Sequence, residues 1–147
     1  MKKALALVLA LGMIATVALV SCAAGTDKIT VATGGNTGTY YAYGMAMGPI
    51  LQESTGLTFD VQSTGASKAN IQLVANGDAD FAIVQNDVME YAYTGTDLFA
   101  ADGAITNFRT VAAVYAEVCQ IVAATDIATV ADLKGKVVSI GAAGSGV

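Results

Sequence analysis

Three times along this chain a short β-branched run gives way to a loop of glycine with serine or threonine. Lys28 to Thr33 alternates Ile29 and Val31 with Thr30 and Ala32, and "GGNTGTY" follows from Gly34 to Tyr40. Leu57, Phe59 and Val61 alternate with Thr58, Asp60 and Gln62, and "STGAS" follows from Ser63 to Ser67. Lys136 to Ile140 is the third run, and "GAAGSG" follows from Gly141 to Gly146. Each loop leads into a helical period or the start of one. Strand, loop and helix repeated in that order are the pattern of an α/β sheet with crossover helices.

The intervening segments fit that class. Tyr43, Met47, Ile50 and Leu51 fall at i, i+4, i+7 and i+8, one face of a helix that Gly56 would end. Pro49 inside it removes a backbone donor and clashes with the Met45 carbonyl, so a kink or early stop is expected there. Ser67, Ile71, Val74 and Ala75 form a second face, closed by Gly77. "DFAIVQ", Asp80 to Gln85, is an apolar run between polar ends, as in a parallel strand covered on both faces. Asn86 to Tyr93 reads as a short helix and Gly95 to Asn107 as a loop. The apolar stretch from Phe108 to Asp126 reads as two strands, Thr110 to Tyr115 and Val118 to Ala123, with one long amphipathic helix as the alternative. A helical turn around Leu133 ends at Gly135.

The N-terminus sets the compartment. Lys2 and Lys3 precede an uncharged run from Ala4 to Thr26, the pattern of a secretory signal peptide over residues 1–21. Leu19-Val20-Ser21-Cys22 resembles the lipobox of bacterial lipoproteins, which implies cleavage before Cys22 and a lipid on its thiol. An ordinary signal peptide with a chance cysteine, or an uncleaved membrane helix, is the competing reading. Residues 22–27 would then be a short lipidated tether. Loss of Lys2 and Lys3 takes the net charge from −5 to −7. Such a chain repels phosphate backbones, so a nucleic-acid partner is not expected. There is no histidine, which removes His-based catalysis and His metal sites, and no metal site or cofactor is expected. With Cys22 lipidated, Cys119 has no internal disulfide partner and reads as a small buried apolar residue in a strand.

The loops carry the chemistry. In an open α/β domain the carboxyl ends of parallel strands share one edge, and ligands bind there. Helix N-termini offer unpaired N–H groups and partial positive charge, and glycine lets backbone approach a ligand closely. Together these suit a small anion without a basic side chain. "GGNTGTYY" lacks the lysine of a P-loop and the spacing of a dinucleotide fingerprint, so nucleotide binding is disfavoured. Tyr43 is expected in a helix face and Tyr40 near the cleft mouth. Arg109, the one arginine, precedes its strand and reads as solvated or structural.

"VATGGNTGTYYAYG", "STGASKANIQLVANGDADFAIVQNDV" and "DLKGKVVSIGAAGSGV", in that order, resemble the TAXI-type solute-binding proteins of TRAP transporters. The resemblance runs over most of Lys28 to Val147. It implies a type II periplasmic-binding-protein fold, in which two α/β lobes close on a small organic solute and deliver it to a membrane permease. Residues 28–115 would form lobe one and residues 116–147 the start of lobe two. Members are about twice this length, and the chain stops where a helix begins, so it reads as an N-terminal fragment. The family's ligands imply a small organic anion, glutamate-like or another carboxylate. Carried over, Gly34, Gly35, Thr37, Gly38 and Tyr40 would meet the ligand from the first loop. Ser63, Gly65 and Ala66 would meet it from the second, chiefly through backbone N–H groups, and Gly144, Ser145 and Gly146 from the third. Gln85 and Tyr115 would complete the set.

Three other readings differ in partner or class. The receptor could serve an ABC importer instead of a TRAP-type permease, which the neighbouring genes would decide. An extracytoplasmic enzyme would need a His or a carboxylate pair, and no Asp or Glu lies in the three loops. Asp60, Asp78 and Asp80 read as strand-edge or turn residues. A sensor domain would need a second membrane segment, which the sequence does not contain.

Overall fold

The computed structural model describes residues 28–146. The expected signal peptide, Cys22 and the tether lie outside the described residues. Lys28–Ala32 forms β1, Thr58–Gln62 forms β2 and Phe81–Ala82 forms β3, all parallel, in the order β2-β1-β3. Helix α1 (Thr39–Thr55) connects β1 to β2, and α2 (Ser67–Asn76) connects β2 to β3. Helix α3 (Asn86–Thr94) follows β3, and a 3-10 turn at Asp97–Phe99 closes the packed region. A mixed α/β architecture with a parallel sheet is the expected class.

Strand β1 is central, and its apolar residues show it: Val31 and Ala32 are buried. Each register pairs residues directly, Val31 with Val61 on one side and with Phe81 on the other. The strand expected over Asp80 to Gln85 shortens to two residues. It lies at the sheet edge, so Phe81 stays 45% exposed rather than covered on both faces. Beyond Ala82 the chain leaves the ladder after the Ile83 N–H donates to the Ala32 carbonyl at 3.0 Å.

Helix α1 corrects the expected face. Its buried residues are Tyr40, Gly44 and Gly48, spaced by four, while Ile50 is 66% exposed. A Cβ at Gly44 would come within 2.8 Å of Thr33 Cγ2 and 2.9 Å of Val61 Cγ1. The small residues let the helix lie directly on the sheet, a contact that larger residues would hold apart. The helix also continues past Pro49 to Thr55, so the early stop does not occur. Gly56 and Gly77 end α1 and α2 in left-handed backbone at φ 74 and 81°, as their sequence positions suggest.

The apolar core joins α2, α3 and the 3-10 turn through Ile71, Val88, Ala92 and Phe99. Val84, Leu98, Ile105 and Phe108 pack around it. The expected loop from Gly95 to Asn107 is therefore partly core, because Phe99 is fully buried.

Three expected strands are absent among the described residues: Thr110 to Tyr115, Val118 to Ala123 and Lys136 to Ile140 carry no strand, and the alternative helix is absent too. A strand is stable only with a hydrogen-bonded neighbour, and these runs pair with none among the described residues. Cys119 is accordingly exposed rather than buried in a strand. What remains there is local. A 3-10 turn at Val130–Leu133 is closed by a capping box, in which Asp132 accepts from the Thr129 N–H at 2.8 Å and from its hydroxyl at 2.9 Å.

Candidate functional site

Parallel strands bring their carboxyl ends to one edge. The chain leaves β1 at Thr33–Gly34, β2 at Ser63–Thr64 and β3 at Ile83–Gln85. The connection from β1 runs one way to β2 and the connection from β2 runs back the other way past β1 to β3, so the crevice at the strand ends opens beside β1.

A buried asparagine sets this edge. Asn70, fully buried in α2, donates from Nδ2 to the Thr33 carbonyl at 2.5 Å and to the Ile83 carbonyl at 2.7 Å. It thus ties the end of β1 to the end of β3. The Thr64 hydroxyl lies 3.0 Å from the Thr33 carbonyl and accepts from the Ala66 N–H at 3.1 Å. Thr64 N and Ser63 Oγ both donate to the Gly34 carbonyl, at 3.1 and 2.9 Å. The Thr33, Gly34 and Ile83 carbonyls lie beyond the reach of the ladder, and side chains, with the Thr64 N–H at Gly34, take the place of the missing strand partner.

The first loop presents open backbone. A Cβ at Gly35 would meet nothing within 4 Å, and Gly35 and Thr37 are exposed. Gly38 precedes α1 in extended backbone, and its N–H donates to the Gly35 carbonyl at 2.8 Å. Gly34 is buried against Tyr40, whose Cβ would lie 3.4 Å from one added at Gly34. In the second loop Gly65 is exposed, and Ala66 precedes α2 at φ 65° and ψ −150°. That region is disfavoured for any residue with a Cβ, so Ala66 stores strain at the mouth.

The third loop comes to the same place. The Gly144 carbonyl accepts from the Lys68 N–H in the first turn of α2 at 2.9 Å. Gly144 and Gly146 have φ of 84 and 99°, and a Cβ at Gly146 would run into Gln85 Oε1 and lie 2.8 Å from Val88 Cγ2. Between them the Ser145 hydroxyl is buried without a partner among the described residues. Gln85 also fixes its own backbone, its N–H donating to the Ser67 hydroxyl at 3.1 Å.

Tyr40 and Tyr115 meet over this edge. Their rings stack edge-on at 6.3 Å between centroids, and Tyr43 lies 5.9 Å from Tyr115. Tyr40 is buried and Tyr43 half-buried. The Tyr40 hydroxyl donates to Glu117 Oε2 at 2.9 Å and the Tyr115 hydroxyl to Oε1 at 3.4 Å. Burial holds the Tyr40 hydroxyl well above the usual tyrosine range; the bond to Glu117 adds to this and Ser67 opposes it. Burial and the Glu117 charge push Tyr115 up to about 12. Sequence reasoning missed Glu117, although it is the one charge between Arg109 and Asp126. It missed Asn70 as well, a polar residue three positions after Ser67 on the helix face that turns inward.

The cations lie elsewhere. Lys68 Nζ pairs with Asp102 at 2.7 Å and donates to the Leu98 carbonyl at 2.6 Å. Arg109 donates to the Thr106 and Phe108 carbonyls and is exposed. It helps line an open cavity of about 410 Å³ with Met89, Tyr93 and Phe108, apart from the three loops. Among the described residues no group of His, Cys, Asp and Glu could hold a metal ion, and no helix is long and apolar enough to cross a membrane.

The model of the NMT1-like family matches residues 31–147, a span that includes all three loops. That family is periplasmic-binding-protein-like and typically non-enzymatic, with a solute-binding role outside the cytoplasm. A match over this much of the chain, on an α/β frame with its loops at one sheet edge, means that the chain belongs to the NMT1-like family.

Proposed function

We propose that this chain belongs to a TAXI-type receptor that captures a small organic anion at the three-loop edge and passes it to a TRAP-type permease. In this reading residues 28–115 build lobe one, residues 116–147 begin lobe two, and the lipid on Cys22 holds the protein at the membrane. The observation that carries the reading is the docking of the Gly144 carbonyl on the Lys68 N–H at 2.9 Å. A segment remote in sequence thereby reaches the first turn of α2, beside Gln85 and the strained Ala66.

The solute's carboxylate would lie among Gly35, Thr37, Gly38 and Gly65, with the Ser145 hydroxyl as a donor. The groups are backbone amides and hydroxyls, which bind an anion without a neutralising cation. Tyr40 and Tyr115 would cover its apolar part. The account needs no bond-making group, since a receptor binds and releases.

Gly35→Val tests it. A Cβ there meets no protein atom within 4 Å, so the substitution adds bulk in open space where the solute would lie. Calorimetry against a panel of carboxylates should show roughly a tenfold or greater loss of affinity with an unchanged melting temperature. Unchanged affinity would remove the first loop from the site. The anchor is tested separately by labelled palmitate in a bacterial host, which should mark the wild type and leave Cys22→Ala unmarked. Two lipid chains or more are needed for stable anchoring, at about 0.8 kcal/mol per buried methylene.

A further inference from the structure

We propose that Glu117 is a built-in counter-ligand: its carboxylate takes the Tyr40 hydroxyl at the strand-end edge, and a solute anion binds there only by displacing it. The inference rests on the solute site proposed above and adds a regulating contact to that site.

Tyr40 is the second residue of α1, and its ring lies against Gly34 in the first loop. Its hydroxyl lies beside that of Ser67, the fully buried first residue of α2. The phenol therefore reaches from the first loop to the end of the second. At its tip sits the Glu117 carboxylate. The Tyr40 hydroxyl donates to Oε2 at 2.9 Å, and the Tyr115 hydroxyl donates to Oε1 at 3.4 Å. A carboxylate on this phenol is the same chemical group that the site is proposed to take from solution.

The contact is made to be broken. Among the described residues the ion pairs formed are Lys28 with Asp60 and Lys68 with Asp102, so no cation neutralises Glu117. Phenols orient a carboxylate without neutralising it. A solute anion at the amide-rich loops meets Glu117 as a like charge. The two also compete for one O–H, because a phenol donates a single proton. Glu117 is exposed, and its segment carries no helix or strand, so the side chain has water to turn into and no ladder to break. Solute affinity is then reduced by the fraction of molecules in which Glu117 has let go.

Calorimetry on the full chain with succinate, glutarate and L-glutamate tests it. Glu117→Gln keeps an oxygen that accepts from Tyr40 but lacks the charge. Each of these solutes that binds should bind that variant roughly threefold or more tighter than the wild type. Glu53→Gln, an equal change of charge at the exposed far end of α1, should leave affinity unchanged. Tyr40→Phe should weaken binding more in the Glu117→Gln background than in the wild type, where the hydroxyl is already engaged and a solute gains little from it. Equal or weaker binding by Glu117→Gln, an equal gain from Glu53→Gln, or the same loss from Tyr40→Phe in both backgrounds overturns the assignment. If Gly35→Val abolishes binding while Glu117→Gln changes nothing, the loop site stands and the counter-ligand falls. If no solute binds either the wild type or Glu117→Gln, both fall.

Discussion

Val31 and Val138 occupy equivalent places in their sequences, each in a short β-branched run that leads into a glycine-rich loop. Val31 is 6% exposed and Val138 is 49% exposed. Val31 has a paired strand on each side, whereas the run from Lys136 to Ile140 pairs with no strand among the described residues. The difference teaches that strand propensity here is a capacity to pack, realised only where neighbours exist. Residues 28–108 hold a core and a sheet. Residues 109–146 hold turns, a capping box and a few contacts reaching back through Glu117, Gly144 and Gly146.

Substitutions on the two sides of this divide should differ sharply. Asn70→Ala should cost most. It strips the donor from the Ile83 carbonyl and leaves the Thr33 carbonyl with the Thr64 hydroxyl alone, and an orphaned buried acceptor costs about 1 to 3 kcal/mol. Urea unfolding should show a loss of roughly 3 kcal/mol, and a loss below about 1 would mean that the strand ends are not held by this side chain. Gly44→Val comes next. Its Cβ would press on Thr33 and Val61, and overpacking of this kind costs about 1 to 3 kcal/mol. The same unfolding curve reads it, and wild-type stability would break the claim that α1 lies directly on the sheet.

A smaller effect links the two regions. Tyr40 and Tyr115 both titrate above the ordinary tyrosine value of 10 in the folded protein. A raised folded pKa gives stability that is complete below the unfolded value and is lost as pH rises through the folded one. Stability should therefore fall from pH 10 to about 12 as the unfolded tyrosines ionise first. Absorbance at alkaline pH should show two late-ionising tyrosines in the wild type. Burial is the larger cause of both shifts; Glu117→Gln removes the charge that adds to it and should bring Tyr115 part of the way down. Smallest of all is Val138→Thr, expected to change stability by less than about 0.5 kcal/mol because the residue is half exposed. A loss above about 1 kcal/mol there would erase the contrast with Val31.

The legible parts of the fold were those with local signals. Helices α1 to α3 and strands β1 and β2 follow from local pattern, and Gly56 and Gly77 mark the ends of α1 and α2; Gly95, read as the start of a loop, closes α3 in the same left-handed backbone. The buried ridge of α1 was not legible, because glycine carries no hydropathy signal and the apolar residues of α1 face outward in part. The fate of Lys136 to Ile140 was not legible either, since pairing is a tertiary property. The loops Gly34 to Tyr40, Ser63 to Ser67 and Gly141 to Gly146 were found as a set from composition and order. Glu117 escaped because it lies far along the chain from the tyrosine it joins, 77 residues from Tyr40.

Hydrogen exchange by mass spectrometry, with and without the tightest-binding solute of the carboxylate panel, tests the central claim most directly. Solute should slow exchange together in Gly35–Tyr40, Ser63–Lys68 and Gly144–Gly146, three segments distant in sequence, while Met89–Thr94 and Phe108–Thr110 stay unchanged. Slowing confined to Met89–Thr94 and Phe108–Thr110 would place the solute in the cavity beside Arg109 and contradict a site at the strand ends.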